Sequence, residues 1–311
     1  MNAVANLPVL STSSSYSMLD FEYLPEHRTL FSWMKPTPRA CFSAALLEQI
    51  RESETLLQSH RGFVNHEGQP GEVAHVVFGS RVSGVFNLGG DLNMFIQAIL
   101  RQDRQLLSYY AHLCVDNQMR RHRGFECGIA TVALVQGKAL GGGFECALAC
   151  HTIVAERSAT MALPETLFNL FPGMGALSFL GRRIGLRKAE QLIVSGATFT
   201  ASDLHDMGVV DEVVEDGMGV ESVKTLLQQR HKRHNTFRSL AEAKLAYHTV
   251  TREELERIVD VWVDGALRLE SRDLKMMTRL VRAQDKLTKM SPEDQAIEQM
   301  YSPPPEKLHA A

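Results

Sequence analysis

A short apolar run, Ala130–Val135, stops near Gly137, and Gly141-Gly142-Gly143 then opens a helical stretch that carries Glu145. A strand that passes to a helix through consecutive glycines commits this part of the chain to α/β architecture. Glycines let backbone approach a ligand closely, and a helix start presents unpaired N–H groups that stabilise negative charge. Nucleotide phosphate is the obvious occupant, but the residues reject it. Gly137-Lys138-Ala139 lacks the hydroxyl residue and earlier glycine of a P-loop, and Cys146 stands where a dinucleotide fingerprint needs glycine. An oxyanion site remains, with a plain tight turn as its alternative.

The same alternation of short apolar runs and helical spacing recurs along the chain. Thr29–Met34 and Val73–Phe78 read as strands, followed by helices over Cys41–Leu57 and Asp91–Leu100, and Phe144–Cys150 follows the glycine turn. Arg61–Gly71, with Gly62, Asn65, Gly68 and Pro70, reads as a loop or lid. Beyond Ala201 the pattern turns helical: Leu255, Ile258, Val259, Trp262, Val263 and Ala266 share one face, and Leu274, Met277, Leu280 and Val281 share another. Ser-rich residues 1–18 and the Pro-containing residues 291–311 are expected to be mobile tails, around a core at 19–200 and a helical region at 201–290.

Two further segments bear chemistry. Phe86-Asn87-Leu88-Gly89-Gly90-Asp91 puts a second pair of glycines before a helix, with Asp91 placed to cap it. Two glycine-rich helix starts on separate loops could supply the two converging N–H groups an oxyanion hole needs. Glu165 follows Pro164 in the apolar segment Met161–Phe171. A carboxyl in such surroundings has its pKa raised towards neutrality, as a proton-transfer group requires, although helix capping or an arginine partner would also account for it.

Charge narrows the function class. Against 36 acidic residues there are 33 lysines and arginines, a formal net charge of −3, which argues against nucleic-acid binding through bulk positive charge. Twelve histidines fall in no HExxH pattern, so no metal is expected, and a GxSxG elbow is missing. No apolar run reaches membrane-spanning length, and the five cysteines lack paired spacing, which favours a reduced, cytoplasmic setting and a soluble protein. Three basic clusters stand out at residues 120–123, 182–188 and 230–234.

Taken together, residues 86–92 (FNLGGDL), 133–155 (ALVQGKALGGGFECALACHTIVA), 161–185 and 207–214 resemble the crotonase (enoyl-CoA hydratase/isomerase) superfamily, over roughly residues 29–285. The resemblance implies a repeated ββα spiral with a C-terminal helical trimerisation region. It also implies an oxyanion hole from the backbone N–H groups of Gly90 and Gly142, with neighbouring glycines Gly89, Gly141 and Gly143 in the substrate-binding loops. Glu145 and Glu165, twenty residues apart, fall on the superfamily's acid and base. Within it, FNLGGDL, GGGFE, NLFPGMGA, VWVDGALRL and RLVRAQ look most like the diffusible signal factor synthases.

That group dehydrates a 3-hydroxyacyl thioester on acyl carrier protein and hydrolyses it to a cis-2-unsaturated fatty acid. By motif position, Met174, Trp262 and Leu280 would line the acyl pocket. The implied mechanism has Glu165 remove the C2 proton and Glu145 protonate the departing hydroxyl, or the reverse, with no cofactor beyond the carrier thioester. A basic cluster would dock the acidic carrier protein, and assembly would be a homotrimer or a dimer of trimers. The competing expectations are an ordinary enoyl-CoA hydratase or isomerase and a catalytically silent crotonase-fold binding protein.

Overall fold

The computed structural model describes residues 9–289. In chain order, β1 (Leu19–Leu24) and β2 (Thr29–Met34) form a hairpin, α1 (Ala44–Ser59) follows, and β3 (Phe63–His66) pairs with β4 (Gln69–Glu72). Three turns of one pattern then build the core. The first is β5 (His75–Ser80), β6 (Val85–Asn87) and α2 (Leu92–Leu100), followed by the long α3 (Arg104–His122). The second is β7 (Ala130–Val135), β8 (Lys138–Leu140) and α4 (Gly142–Leu148). The third is β9 (Thr152–Glu156), β10 (Thr160–Ala162), a 3-10 turn at Pro164–Phe168, and α5 (Ala176–Ile184). After these come α6 (Leu186–Ser195), β11 (Thr198–Thr200), α7 (Ala201–Asp206), β12 (Glu212–Val214) and four helices, α8 (Gly219–His231), α9 (His234–Tyr247), α10 (Arg252–Leu267) and α11 (Ser271–Lys289).

Each turn sends its first strand to a six-stranded sheet, ordered β1-β2-β5-β7-β9-β12, and its second to a four-stranded sheet, ordered β11-β10-β8-β6. Neighbours are parallel except for β1 and β11, which sit antiparallel at edges. This is the expected ββα spiral. Side-chain alternation on the large sheet explains its two-sided burial: Val132, Leu134 and Val154 pack on Val223 and Leu227 of α8, while Ala133, Val135, Ile153 and Ala155 face the main core. Among the described residues no helix is long and apolar enough to cross a membrane.

Three expectations change. The segment predicted as a loop or lid at Arg61–Gly71 is largely the β3–β4 hairpin, with Val64 fully buried; its glycines and proline mark the turn and an edge strand rather than irregular chain. The expected N-terminal tail is not loose over residues 9–18, because Leu10 is buried and its carbonyl accepts from Asn65 N, while Thr12 N donates to Asn65 O. The region beyond residue 201 is helical but returns one strand, β12, to the large sheet beside β9. The tail expected at residues 291–311 lies outside the described residues, as do residues 1–8.

Candidate active site

Two helix starts meet where the small sheet ends. Asp91 caps α2 by accepting from Met94 N at 3.2 Å, and its loop is pinned by Asn87, whose Oδ1 accepts from Gly89 N at 2.9 Å. The facing loop opens α4 at Gly142. The loops pack with no room for side chains: a Cβ on Gly143 would stand 2.2 Å from Asn87 O, and one on Gly89 would stand 2.7 Å from Leu140 O. Gly89 and Gly143 thus hold loop against loop. The contact brings the two helix starts together, since a Cβ on Gly142 would lie 3.7 Å from Gly90 N. Among the described residues neither Gly90 N nor Gly142 N donates a hydrogen bond within the protein. Both line one cavity with Glu145 and Glu165. Two unengaged N–H groups side by side are what a developing oxyanion requires.

Glu145 projects from the first turn of α4 and is 1% exposed. Its Oε1 accepts from Met174 N at 2.9 Å and Ala176 N at 3.0 Å. It therefore caps α5, whose own N-cap is Gly175 and offers no side chain. Burial pushes its carboxyl up to about 7, against the two N–H bonds, which favour the ionised form. Glu165 sits in the 3-10 turn after Pro164, and its Oε2 is buried without a partner among the described residues. Its carboxylate fills the space beside Gly141, where a Cβ would lie 2.5 Å from Oε1; Gly141, at φ +50°, must be glycine on both counts. Burial first, and then the Glu145 charge, push Glu165 up to about 8. Among the described residues Glu165 pairs with no arginine, and no side-chain hydrogen bond caps its turn. The two carboxyls interact, and both are held above the ordinary carboxylate range, so they titrate as a pair.

Aromatic rings close the cavity. Phe95 lies on Gly90, packs edge-on against Tyr110 at 5.0 Å and against Trp262 at 5.2 Å, and Trp262 lies against Gly173. Met174 and Trp262 line the cavity. Leu280 does not: it is half-buried on α11 and packs against the main core, because its apolar stripe faces α2 and the Glu165 turn rather than the void. The free space is about 50 Å³, room for a few waters and less than an acyl chain fills.

Sequence reading missed an entire wall, α3. From it Tyr110, Cys114, Asn117, Gln118 and Arg121 line the cavity. Arg121, read as part of a surface basic cluster, is 3% exposed and donates from Nε to Glu54 Oε1 at 2.8 Å and from Nη1 to Cys146 Sγ at 2.6 Å. The signal that could have found this wall is the spacing Tyr110, Cys114, Gln118, which carries one helix face from apolar to polar residues. Of the other basic clusters, Arg182 bridges Glu254 and Arg183 reaches Asp211, while Arg187, Lys188, Lys232 and Arg233 are exposed.

Residues 60–264 match the family model for enoyl-CoA hydratase/isomerase. The peroxisomal fatty acid beta-oxidation multifunctional protein AIM1 of Arabidopsis thaliana is 34% identical over 173 residues, 52% of this chain and 23% of that protein. The mitochondrial enoyl-CoA hydratase domain-containing protein 2 of Homo sapiens is 32% identical over 185 residues, 58% of this chain and 56% of its own. The chain thus spans 56% or less of the length of these two relatives. Among solved structures, enoyl-CoA hydratase from Bacillus halodurans superposes with a TM-score of 0.70 at 21% identity, covering 85% of this chain and 100% of the other. Pseudomonas aeruginosa DspI superposes with a TM-score of 0.59 at 24% identity, covering 80% and 98%. At these identities the two structures speak for the fold.

Proposed function

The chain belongs to the enoyl-CoA hydratase/isomerase family, and from that premise we propose that it dehydrates a 3-hydroxyacyl thioester on acyl carrier protein to the cis-2-enoyl form, then hydrolyses the thioester to free a cis-2-unsaturated fatty acid. One observation carries the reading: two buried carboxyls with raised pKa values share a cavity with two unengaged backbone N–H groups. In this reading the thioester carbonyl accepts from Gly90 N and Gly142 N, so charge that develops as the C2 proton leaves falls on a prepared oxygen site. Glu165 takes the C2 proton, and Glu145 gives a proton to the 3-hydroxyl, which departs as water. The same carboxyls can then orient water against the carbonyl. The carrier and product rest on the wording of residues 86–92, 141–145, 169–176 and 261–269. The exposed basic residues Arg187 and Lys188, or Lys232 and Arg233, supply docking charge for an acidic carrier, and the C-terminal helices supply the surface for a trimer.

A second reading, a reversible enoyl-CoA hydratase, is favoured by the family match itself. The same two carboxyls would add water at C3 and a proton at C2, the reverse of the dehydration. Mass spectrometry of products from 3-hydroxyacyl thioesters on carrier protein and on CoA separates the readings. A free cis-2 acid from the carrier substrate supports the synthase. Interconversion of 3-hydroxyacyl-CoA and enoyl-CoA without free acid overturns it in favour of the hydratase.

A further inference from the structure

Gln118, on α3, is 4% exposed and lines the same cavity as Glu145. Its Oε1 is buried without a partner among the described residues. Buried amides are rarely left so, because the desolvation is uncompensated. The α3 polar residues on either side of it are engaged: Asn117 donates to Leu47 O, and Arg121 holds Glu54 and Cys146. The Gln118 Oε1 lies 2.7 Å from where a Cβ on Gly175 would stand, and Gly175 joins the two residues whose N–H groups hold Glu145 Oε1. Gln118 and Glu145 therefore meet at Gly175 and line one cavity.

Resting on the reaction proposed above, we propose that Gln118 is a further catalytic residue, whose side-chain amide binds the oxygen at C3 of the substrate, the leaving hydroxyl in dehydration and the incoming water in hydration. A hydroxyl that leaves must gain one proton and keep its own. The carboxylic acid supplies the first, and the amide carbonyl of Gln118 accepts a hydrogen bond from the second. The C3–O electrons leave with the oxygen, the C2–H electrons become the C2=C3 bond, and the C2 proton goes to the carboxylate, so the carboxyl pair ends with the one proton it began with. Gln118 acts at C3 alone. The acidity of C2 is set by the two backbone amides and Glu165, which it does not touch.

That division supplies the test. Gln118→Leu and Gln118→Met remove the amide while keeping bulk. For each, two rates are measured: hydration or dehydration of an acyl thioester, and exchange of the C2 proton of a saturated acyl thioester with D2O, which has no oxygen at C3. The expected result is a fall of at least about tenfold in hydration or dehydration with C2 exchange held within about twofold, and a Tm equal to or above the native value. Equal loss of both rates, or no loss of either, overturns the assignment, and a variant that loses Tm along with both rates marks Gln118 as structural. Native enzyme that neither dehydrates nor exchanges defeats the parent reaction as well; native activity indifferent to Gln118 defeats this inference alone.

Discussion

Glu145 is both a helix cap and a reactive carboxyl, so substitutions at it must be chosen to separate the two. Glu145→Gln keeps an oxygen for Met174 N and Ala176 N and should leave the fold intact, whereas alanine would leave both N–H groups buried and unpaired. Glu145→Gln and Glu165→Gln are each expected to lower turnover on a 3-hydroxyacyl thioester by about 100-fold or more in steady-state assays. Glu165 also carries a stability signature. Its folded pKa is raised, so the native state holds the proton more tightly than the unfolded chain does, and stability falls as pH rises from the ordinary carboxylate range to about 8. Glu165→Gln has no charge to bury. Its Tm should match the native value near pH 5 and exceed it by about 3 °C or more near pH 9, read by calorimetry.

At the scale of elements, the oxyanion pair depends on how closely two loops approach. Gly143→Ala would drive a methyl into Asn87 O, push the Asn87 turn outward and carry Gly90 N away from Gly142 N. It is expected to lower kcat/KM by about 100-fold while C2-independent ligand binding persists. The same elements show what a sequence reader can see. β2 and β7 matched their predicted spans because each is buried on both faces and reads as a largely apolar run broken only by Thr or Ser. Asp91 was legible because capping is local chemistry. The β3–β4 hairpin was hidden by its own turn residues, and α3 was hidden because it buries polar groups, Asn117, Gln118 and Arg121, inside the core. A pattern search for an apolar stripe passes over a helix whose inner face is partly polar, and here that face is part of the candidate site.

At the scale of the whole molecule, the chain's last described helix secures its first glycine loop. Gln284 of α11 donates to Leu88 O at 2.8 Å, Arg39 pairs with Asp285, and Asn169 beside the Glu165 turn reaches Asp273. Leu280 lies on the same helix, half-buried against the main core. Gln284→Leu leaves Leu88 O unpaired and is expected to cost about 1–3 kcal/mol in denaturant unfolding, with a loss of kcat/KM through the adjacent Gly89-Gly90 loop. Such long-range ties join residues nearly two hundred positions apart, and no local pattern announces them.

Titrating the glutamate carboxyls by 13C NMR in the native chain and in the two glutamine variants tests the central claim most directly. In the native chain, the Glu145 and Glu165 resonances should titrate near neutrality, well above the ordinary value of about 4.3. Glu145→Gln should remove one and move the Glu165 resonance downward, since its charged neighbour is gone. Two carboxyls that titrate in the ordinary range, each indifferent to loss of the other, would contradict the account.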